Sequence, residues 1–206
     1  MRQSVTRLFV SAFFAFSTAT ISAAGPVDDA YELHKNDGVD LQPIGTICEY
    51  LAKDVLEKRY DPDFYRVVIG VQYGESRNAM GELDLTVVDL EYNEAVFIGE
   101  VKCWKDPRAG LAKAKKQINR FRKANDQNRV NWLKILSPGY TDFVVSKRTY
   151  RNSYEVGYVA PKGTRKAGYT HELDLTLDQA MDLRRRIMNC QESGKCKRPK
   201  KSKKRR

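Results

Sequence analysis

Three residues carry the chemistry that the chain suggests first: Asp84, Glu100 and Lys102, with Glu82 two places before them. Residues 82–90 (ELDLTVVDL) and 94–102 (EAVFIGEVK) are rich in β-branched and apolar types and flank a short turn at Tyr92 and Asn93, so they read as an antiparallel hairpin. Asn93 suits a left-handed turn position. A hairpin centred on Tyr92 sets Asp84 opposite Glu100 and Glu82 opposite Lys102, and strand alternation places all four on one face. The same face continues through Thr86, Val88, Val96 and Ile98. Two carboxylates opposed on an apolar face repel, and burial raises the cost. A hard divalent cation resolves that conflict, since Mg²⁺ takes one or two carboxylates, keeps several waters and accepts substrate phosphates. Lys102 aims an ammonium at the same point. The alternative without a metal is a sheet face on which Lys102 neutralises Glu82 or Glu100.

The elements that must position these residues follow from periodicity. Ile44 to Arg59 reads as a helix, with Ile44, Ile47, Cys48, Leu51 and Val55 on one face. Phe64 to Tyr73 reads as a strand before the hairpin. A helix follows Pro107, from Ala109 to about Asn125, with Leu111, Ala114, Ile118 and Phe121 as its buried stripe. Strands are predicted near Asp142–Lys147 and Tyr154–Val159. Thr176 and Gln179 then form a capping box that opens a last helix ending short of Cys190. The second occurrence of ELDLT, at 172–176 after 82–86, has unmatched flanks and is no repeat. The order predicts an α/β domain with a mixed central sheet flanked by helices.

Gly81-Glu82-Leu83-Asp84, fifteen residues, then Glu100-Val101-Lys102 resembles the Asp…Glu-x-Lys core of the PD-(D/E)XK nuclease superfamily. Gly45-Thr46-Ile47-Cys48-Glu49-Tyr50-Leu51-Ala52, with Leu56, is similar to the first helix of its Holliday-junction-resolvase-like members. Gln117-Ile118-Asn119-Arg120-Phe121 resembles the Q-x-x-x-Y motif of the RecB-like branch, with Phe121 where Tyr is usual. The literal Pro62-Asp63 lies ahead of the first strand of the motif, so the metal aspartate of the resemblance is Asp84. The resemblance covers about residues 44–160 and implies a restriction-endonuclease-like αβββαβ core. It also implies Mg²⁺, with Mn²⁺ as a substitute, held by Asp84, Glu100 and the Val101 carbonyl, and Lys102 orienting the attacking water. Glu49 would position the metal or its waters, although the helical wheel sets it off the apolar stripe, where an exposed carboxylate is the alternative. Gln117, on the border between the apolar and basic faces of its helix, would position phosphate or site groups.

From Lys102 to Lys123 there are nine Lys/Arg and one acid, Asp106. Lys105, Lys113, Lys116, Arg120 and Lys123 are the candidate nucleic-acid contacts, because clustered cations beside a metal site suit a polyphosphate backbone. Trp104, Tyr140 and Tyr150 either stack on bases or pack.

The 206 residues carry a formal charge of +11, with 41% hydrophobic residues, 13 Gly and 7 Pro, which excludes low-complexity and collagen-like chains. Residues 195–206 hold nine Lys/Arg and no acid, and residues 1–24 hold two, so residues 25–194 are formally neutral. The basic Arg2 and Arg7, the apolar run Leu8–Ala24 and the small residues Ser22-Ala23-Ala24 have the layout of a secretory signal peptide. Export to a secreted or periplasmic location is therefore expected, with no membrane span in the mature chain. Of four cysteines, Cys190 and Cys196 are the expected disulfide; Cys48 and Cys103 either pair or are buried. No zinc spacing is present, and His34 and His171 read as packing or surface residues.

The predicted organisation is a signal peptide (1–24), an N-terminal extension (25–43), a nuclease-like domain (44–190) and a disordered polybasic tail (191–206). The function expected is an exported Mg²⁺-dependent nuclease acting on DNA, with RNA open. Its rivals are a non-catalytic nucleic-acid or polyanion-binding protein of the same fold, and a secreted effector whose tail directs it to a nucleus.

Overall fold

The computed structural model describes residues 25–137, 140, 143–152 and 154–199. The segment 1–24, expected to be a signal peptide, and tail residues 200–206 lie outside them.

Among the described residues four α-helices flank one six-stranded sheet: α1 (Pro26–His34), α2 (Ile44–Glu57), α3 (Pro107–Asp126) and α4 (Leu177–Glu192). The strands are β1 (Tyr65–Glu75), β2 (Asn78–Asp89), β3 (Glu94–Val101), β4 (Trp132–Ile135), β5 (Glu155–Ala160) and β6 (His171–Glu172), in spatial order β4-β1-β2-β3-β5-β6. β3, β5 and β6 run parallel and the other neighbours antiparallel, so the sheet is mixed and open. The order helix, three strands, helix, strand is present from α2 to β5, with β4 added on the far edge.

One face of the sheet (Val67, Ile69, Leu85, Val87, Phe97, Val159) packs on α2 and α4 through Ile47, Leu51, Leu56, Leu183 and Ile187. The other (Val68, Val71, Val88, Ile98) packs on α3 through Ile118 and Phe121. All four residues of the predicted α3 stripe are buried. On α2 the stripe turns a little: Ile44 is 57% exposed, while Ala52 and Leu56 are fully buried.

The β2–β3 register runs from Leu85↔Gly99 to Val87↔Phe97, as the hairpin arithmetic predicts, and Asn93 is left-handed (φ 53°). A bulge then shifts the pairing to Val88↔Ala95. The extra residue moves Val96 to the α2 face and puts Ala95 beside Val88, so Val96 does not belong to the row of Thr86 and Ile98.

Several other expectations change. No strand covers residues 143–146; these lead into a single 3₁₀ turn, Lys147–Tyr150, capped by the Ser146 hydroxyl. β4 and β6 lie outside the predicted elements, and so does α1, within the supposed extension. β4 holds only four residues and forms because the edge of β1 offers it a ladder from Val71↔Ile135 to Gly74↔Trp132. Thr176 caps α4 as expected, with reciprocal Thr176 and Gln179 bonds, but α4 continues through Cys190 to Glu192. Cys190 is disulfide-bonded to Cys196, which is buried, and Arg198 donates to the Gln191 and Glu192 carbonyls. Residues 191–199 are thus tied to the end of α4, with Gln191 and Cys196 buried and most of the other side chains exposed, because a covalent bridge and free helix-end carbonyls outweigh the repulsion among the basic side chains.

Candidate functional site

The β2–β3 ladder stops at Leu85↔Gly99, one step before Asp84 and Glu100. Beyond it, Asp84 Oδ2 accepts the backbone N–H of Val101 at 2.8 Å, so a side chain takes over a donor that faces β2. Lys102 follows the last residue of β3, its own N–H bonded to the Val159 carbonyl at 3.0 Å. Its ammonium sits 2.8 Å from Asp84 Oδ2, 2.8 Å from Glu100 Oε2 and 2.9 Å from the Val101 carbonyl. Three donors meet three acceptors, and the ammonium is saturated. Asp84 and Lys102 are each 9% exposed and Glu100 is fully buried. Glu100 Oε1, also buried, has no partner among the described residues.

Glu82 lies off this bonded group. It lines a groove of about 1410 Å³ with Glu49 of α2, whereas Asp84, Glu100 and Lys102 do not line it. The predicted Glu82–Lys102 opposition is therefore replaced by Lys102 bonded to Asp84 and Glu100. Glu49 and Glu82, which line the groove, respond to the charges of Asp84 and Lys102, and its other lining residues include Lys53, Arg66 and Lys197.

Gly70, in the middle of β1, shapes this corner. Its φ of +67° is closed to most side chains, and a Cβ there would lie 3.0 Å from Glu82 Oε1. Its carbonyl accepts the Leu136 N–H at 2.8 Å, which holds the chain just beyond β4. An isolated glycine in a β-branched run is a legible sign of such a kink or close approach.

The electrostatics are those of crowded carboxylates with one offsetting cation. Burial raises the Glu100 pKa to about 9, Asp84 adds to the rise and Lys102 opposes it. Burial likewise raises Glu49 to about 8, with Asp84 and Glu82 adding and Lys102 opposing. Glu82 is raised for the same reasons. For Lys102, burial disfavours the charge but Asp84 and Glu100 outweigh it, so it stays protonated. Glu49 is therefore no isolated surface carboxylate: it is half-buried and electrically part of the cluster.

The structure groups the other predicted residues less closely. Gln117 is half-buried on α3, and among the described residues no hydrogen bond joins it to Asp84, Glu100 or Lys102. Lys105, Lys113, Lys116, Arg120 and Lys123 are all exposed. Burial raises the pKa of the Tyr73 hydroxyl most, and Arg120 and Glu100 both act on it, Arg120 lowering and Glu100 raising it. Tyr140 bonds the Val67 carbonyl and Tyr150 bonds Thr86, so both pack, while Trp104 is 47% exposed.

Two hydroxyls escaped sequence reasoning. Tyr73 and Tyr169 are buried with no hydrogen-bond partner among the described residues. Tyr73 lies near Glu100, and Tyr169 responds to Lys102. Gly110 of α3 accounts for the second approach: a Cβ there would lie 2.7 Å from the Tyr169 hydroxyl and 3.3 Å from Lys102 Cβ. Tyr169 sits in a loop whose sequence carries no sign of this. A second bridge, Cys48–Cys103, links the residue before Glu49 to the residue after Lys102.

Among the described residues no group of three or more His, Cys, Asp or Glu side chains surrounds one metal position. The oxygens converging on the Lys102 ammonium are two carboxylates and one carbonyl. That all-oxygen set suits Mg²⁺, which needs few protein ligands and retains waters, and the unpartnered Glu100 Oε1 adds a further hard donor. No helix among the described residues is long and apolar enough to cross a membrane. The two disulfides are compatible with a secreted protein. Comparison with protein-family models, curated proteins and solved structures gives no match.

Proposed function

We propose that the protein is an exported, Mg²⁺-dependent nuclease of PD-(D/E)XK type that hydrolyses phosphodiester bonds of DNA. One observation carries this reading: the Lys102 ammonium, itself a cation, is bound by Asp84, Glu100 and the Val101 carbonyl, the oxygens that the resemblance assigns to the metal. Crowding buried carboxylates around one point costs stability unless a cation is handled there.

In this reading Asp84, Glu100 and the Val101 carbonyl would hold Mg²⁺ in place of the Lys102 ammonium. Bound Mg²⁺ would polarise the phosphate and lower the pKa of coordinated water. Lys102, whose charge its neighbours sustain, would, once released from these oxygens, orient the attacking water and offset charge on the phosphate. Glu49 borders the groove and positions site waters. The exposed cations of α3 hold the nucleic-acid backbone near Lys102. In the reaction the water oxygen bonds to phosphorus, the P–O ester bond breaks, and a proton passes to the leaving oxygen.

The test is incubation of the oxidised chain from residue 25 onward with plasmid and linear DNA, with and without Mg²⁺. Metal-dependent cleavage, abolished in Asp84→Ala and Lys102→Ala proteins that remain folded, is the expected result. Unchanged cleavage in either variant overturns the site assignment. Salt-sensitive DNA binding without cleavage under any divalent ion favours the non-catalytic binding protein instead.

A further inference from the structure

We propose that the Cys48–Cys103 disulfide is a positioning element for the carboxylate–lysine cluster, so that the cluster binds a divalent ion tightly only in the oxidised chain. The proposal rests on the metal-site reading above and adds its regulation.

The bridge is placed where it can act. Cys48 precedes Glu49 on α2, Cys103 follows Lys102 beyond β3, and their Cα atoms are 6.3 Å apart. Cys48 is fully buried against the α2 face of the sheet. Lys102 itself is held through its N–H and its ammonium, but the residues that follow it are weakly tied otherwise. β3 ends at Val101 and α3 begins at Pro107, and among the described residues the N–H groups of 103–105 donate no hydrogen bond. The disulfide is thus the covalent tie between the element carrying Glu49 and the segment carrying Lys102.

Without the bridge, Glu49 on α2 and Lys102 beyond β3 are held by the packing of α2 on the sheet and by the ion pairs of Lys102 with Asp84 and Glu100. The bridge adds a direct covalent limit on the separation of the two segments. Site geometry held within a fraction of an ångström is what metal affinity requires.

The redox step is balanced. A dithiol delivers two electrons and two protons, the S–S bond breaks to two thiols, and the dithiol closes to a cyclic disulfide; a glutathione disulfide reverses the change. In a reducing compartment the cluster would be loose, and in an oxidising one it would be assembled. A nuclease built this way is restrained in the cell that makes it and active after export.

A Cys190→Ser/Cys196→Ser protein, which keeps only the bridge in question, is compared oxidised and after reduction with a dithiol that is then removed under argon. Mn²⁺ binding is followed by electron paramagnetic resonance, which gives both the Kd and the number of sites, and DNA cleavage is measured alongside. We expect the Kd to weaken at least about tenfold on reduction, a size typical of lost outer-shell support, with unchanged far-ultraviolet circular dichroism and recovery on reoxidation. A Cys48→Ser/Cys103→Ser protein, assayed below its own melting midpoint, should show the weak Kd and ignore the dithiol. A merely structural bridge would reduce the number of sites and leave the Kd of those remaining unchanged, which overturns the proposal. Equal Kd and cleavage in both redox states overturns it while leaving the nuclease reading intact. No Mn²⁺ binding and no cleavage in the oxidised chain overturns both.

Discussion

Asp84 Oδ2 accepts the Val101 N–H at 2.8 Å, and with this bond the carboxylate occupies the split where β2 and β3 part. The same oxygen receives the Lys102 ammonium. Asp84 is therefore both a structural acceptor and a candidate ligand, and two substitutions separate the roles.

Asp84→Ala strands a buried N–H and should cost about 1–3 kcal/mol, the usual penalty for an unsatisfied buried donor. Asp84→Asn keeps an acceptor for Val101 and should cost less. Both should abolish metal-dependent cleavage. Urea denaturation and a plasmid assay on the two proteins check this; an active Asp84→Asn protein removes Asp84 from the site.

Removing the cation is a different experiment. Lys102→Met leaves Asp84 and Glu100 facing one another without compensation, and breaking a buried pair from one side costs about 3–5 kcal/mol. Protonation of Glu100 relieves part of that, so the loss should be smaller at pH 5 than at pH 9. Mg²⁺ should restore stability to this variant more than to the wild type. Thermal melts of both proteins at the two pH values, with and without the ion, give the comparison.

The raised carboxylates also set a pH dependence for the unmutated protein. A folded pKa above the ordinary 4.5 means that the folded state holds its protons more tightly than the unfolded chain. Stability from Glu100 and Glu49 is therefore full below about 4.5 and is lost as pH rises through about 8 and 9. His34 acts in the same sense. Burial lowers its pKa, but Asp54 and Asp37, at 2.6 and 2.8 Å, raise it further, so its contribution is full below 6.5 and fades above its folded value. Melting midpoints without divalent ions should fall between pH 5 and 9. His34→Gln should flatten the part around neutral pH, and Mg²⁺ the alkaline part. A midpoint that rises over this range contradicts the assignment.

Gly70→Ala tests the corner of the groove. A left-handed alanine costs about 1–2 kcal/mol, and the added Cβ would press on Glu82 at 3.0 Å. The denaturation midpoint should fall, and the affinity for Mn²⁺ should fall with it.

The basic face of α3 should be read in salt. Each of Lys113→Ala, Lys116→Ala, Arg120→Ala and Lys123→Ala should lower the slope of log K against log salt for duplex DNA by about 0.9 for every phosphate left unneutralised. Mg²⁺ dependence should be unaffected for the three lysines. Filter-binding titrations at several ionic strengths measure it, and slopes unchanged in all four variants would falsify this face as the backbone-binding surface.

By itself the sequence determined what depends on neighbours in the chain. Strand alternation and the Asn93 turn set the register from Leu85↔Gly99 to Val87↔Phe97, one step short of Asp84 and Glu100. The spacing of Leu111, Ala114, Ile118 and Phe121 fixed which face of α3 is buried, and Thr176 with Gln179 fixed where α4 starts. These are short-range patterns with a period of 2 or 3.6, and they survive folding because each element keeps its own geometry. The tertiary structure decided what depends on distant partners. The bulge that turns Val96 over, the four-residue β4 and the two-residue β6 exist because a neighbouring edge accepts them. Glu49, set off the apolar stripe by helical geometry, joins the cluster because α2 packs on the sheet and is bridged to Cys103. Four carboxylates were legible as residues, but which of them share one low-dielectric corner, and which cation answers them, is a matter of burial and charge–charge distance that only the folded chain sets.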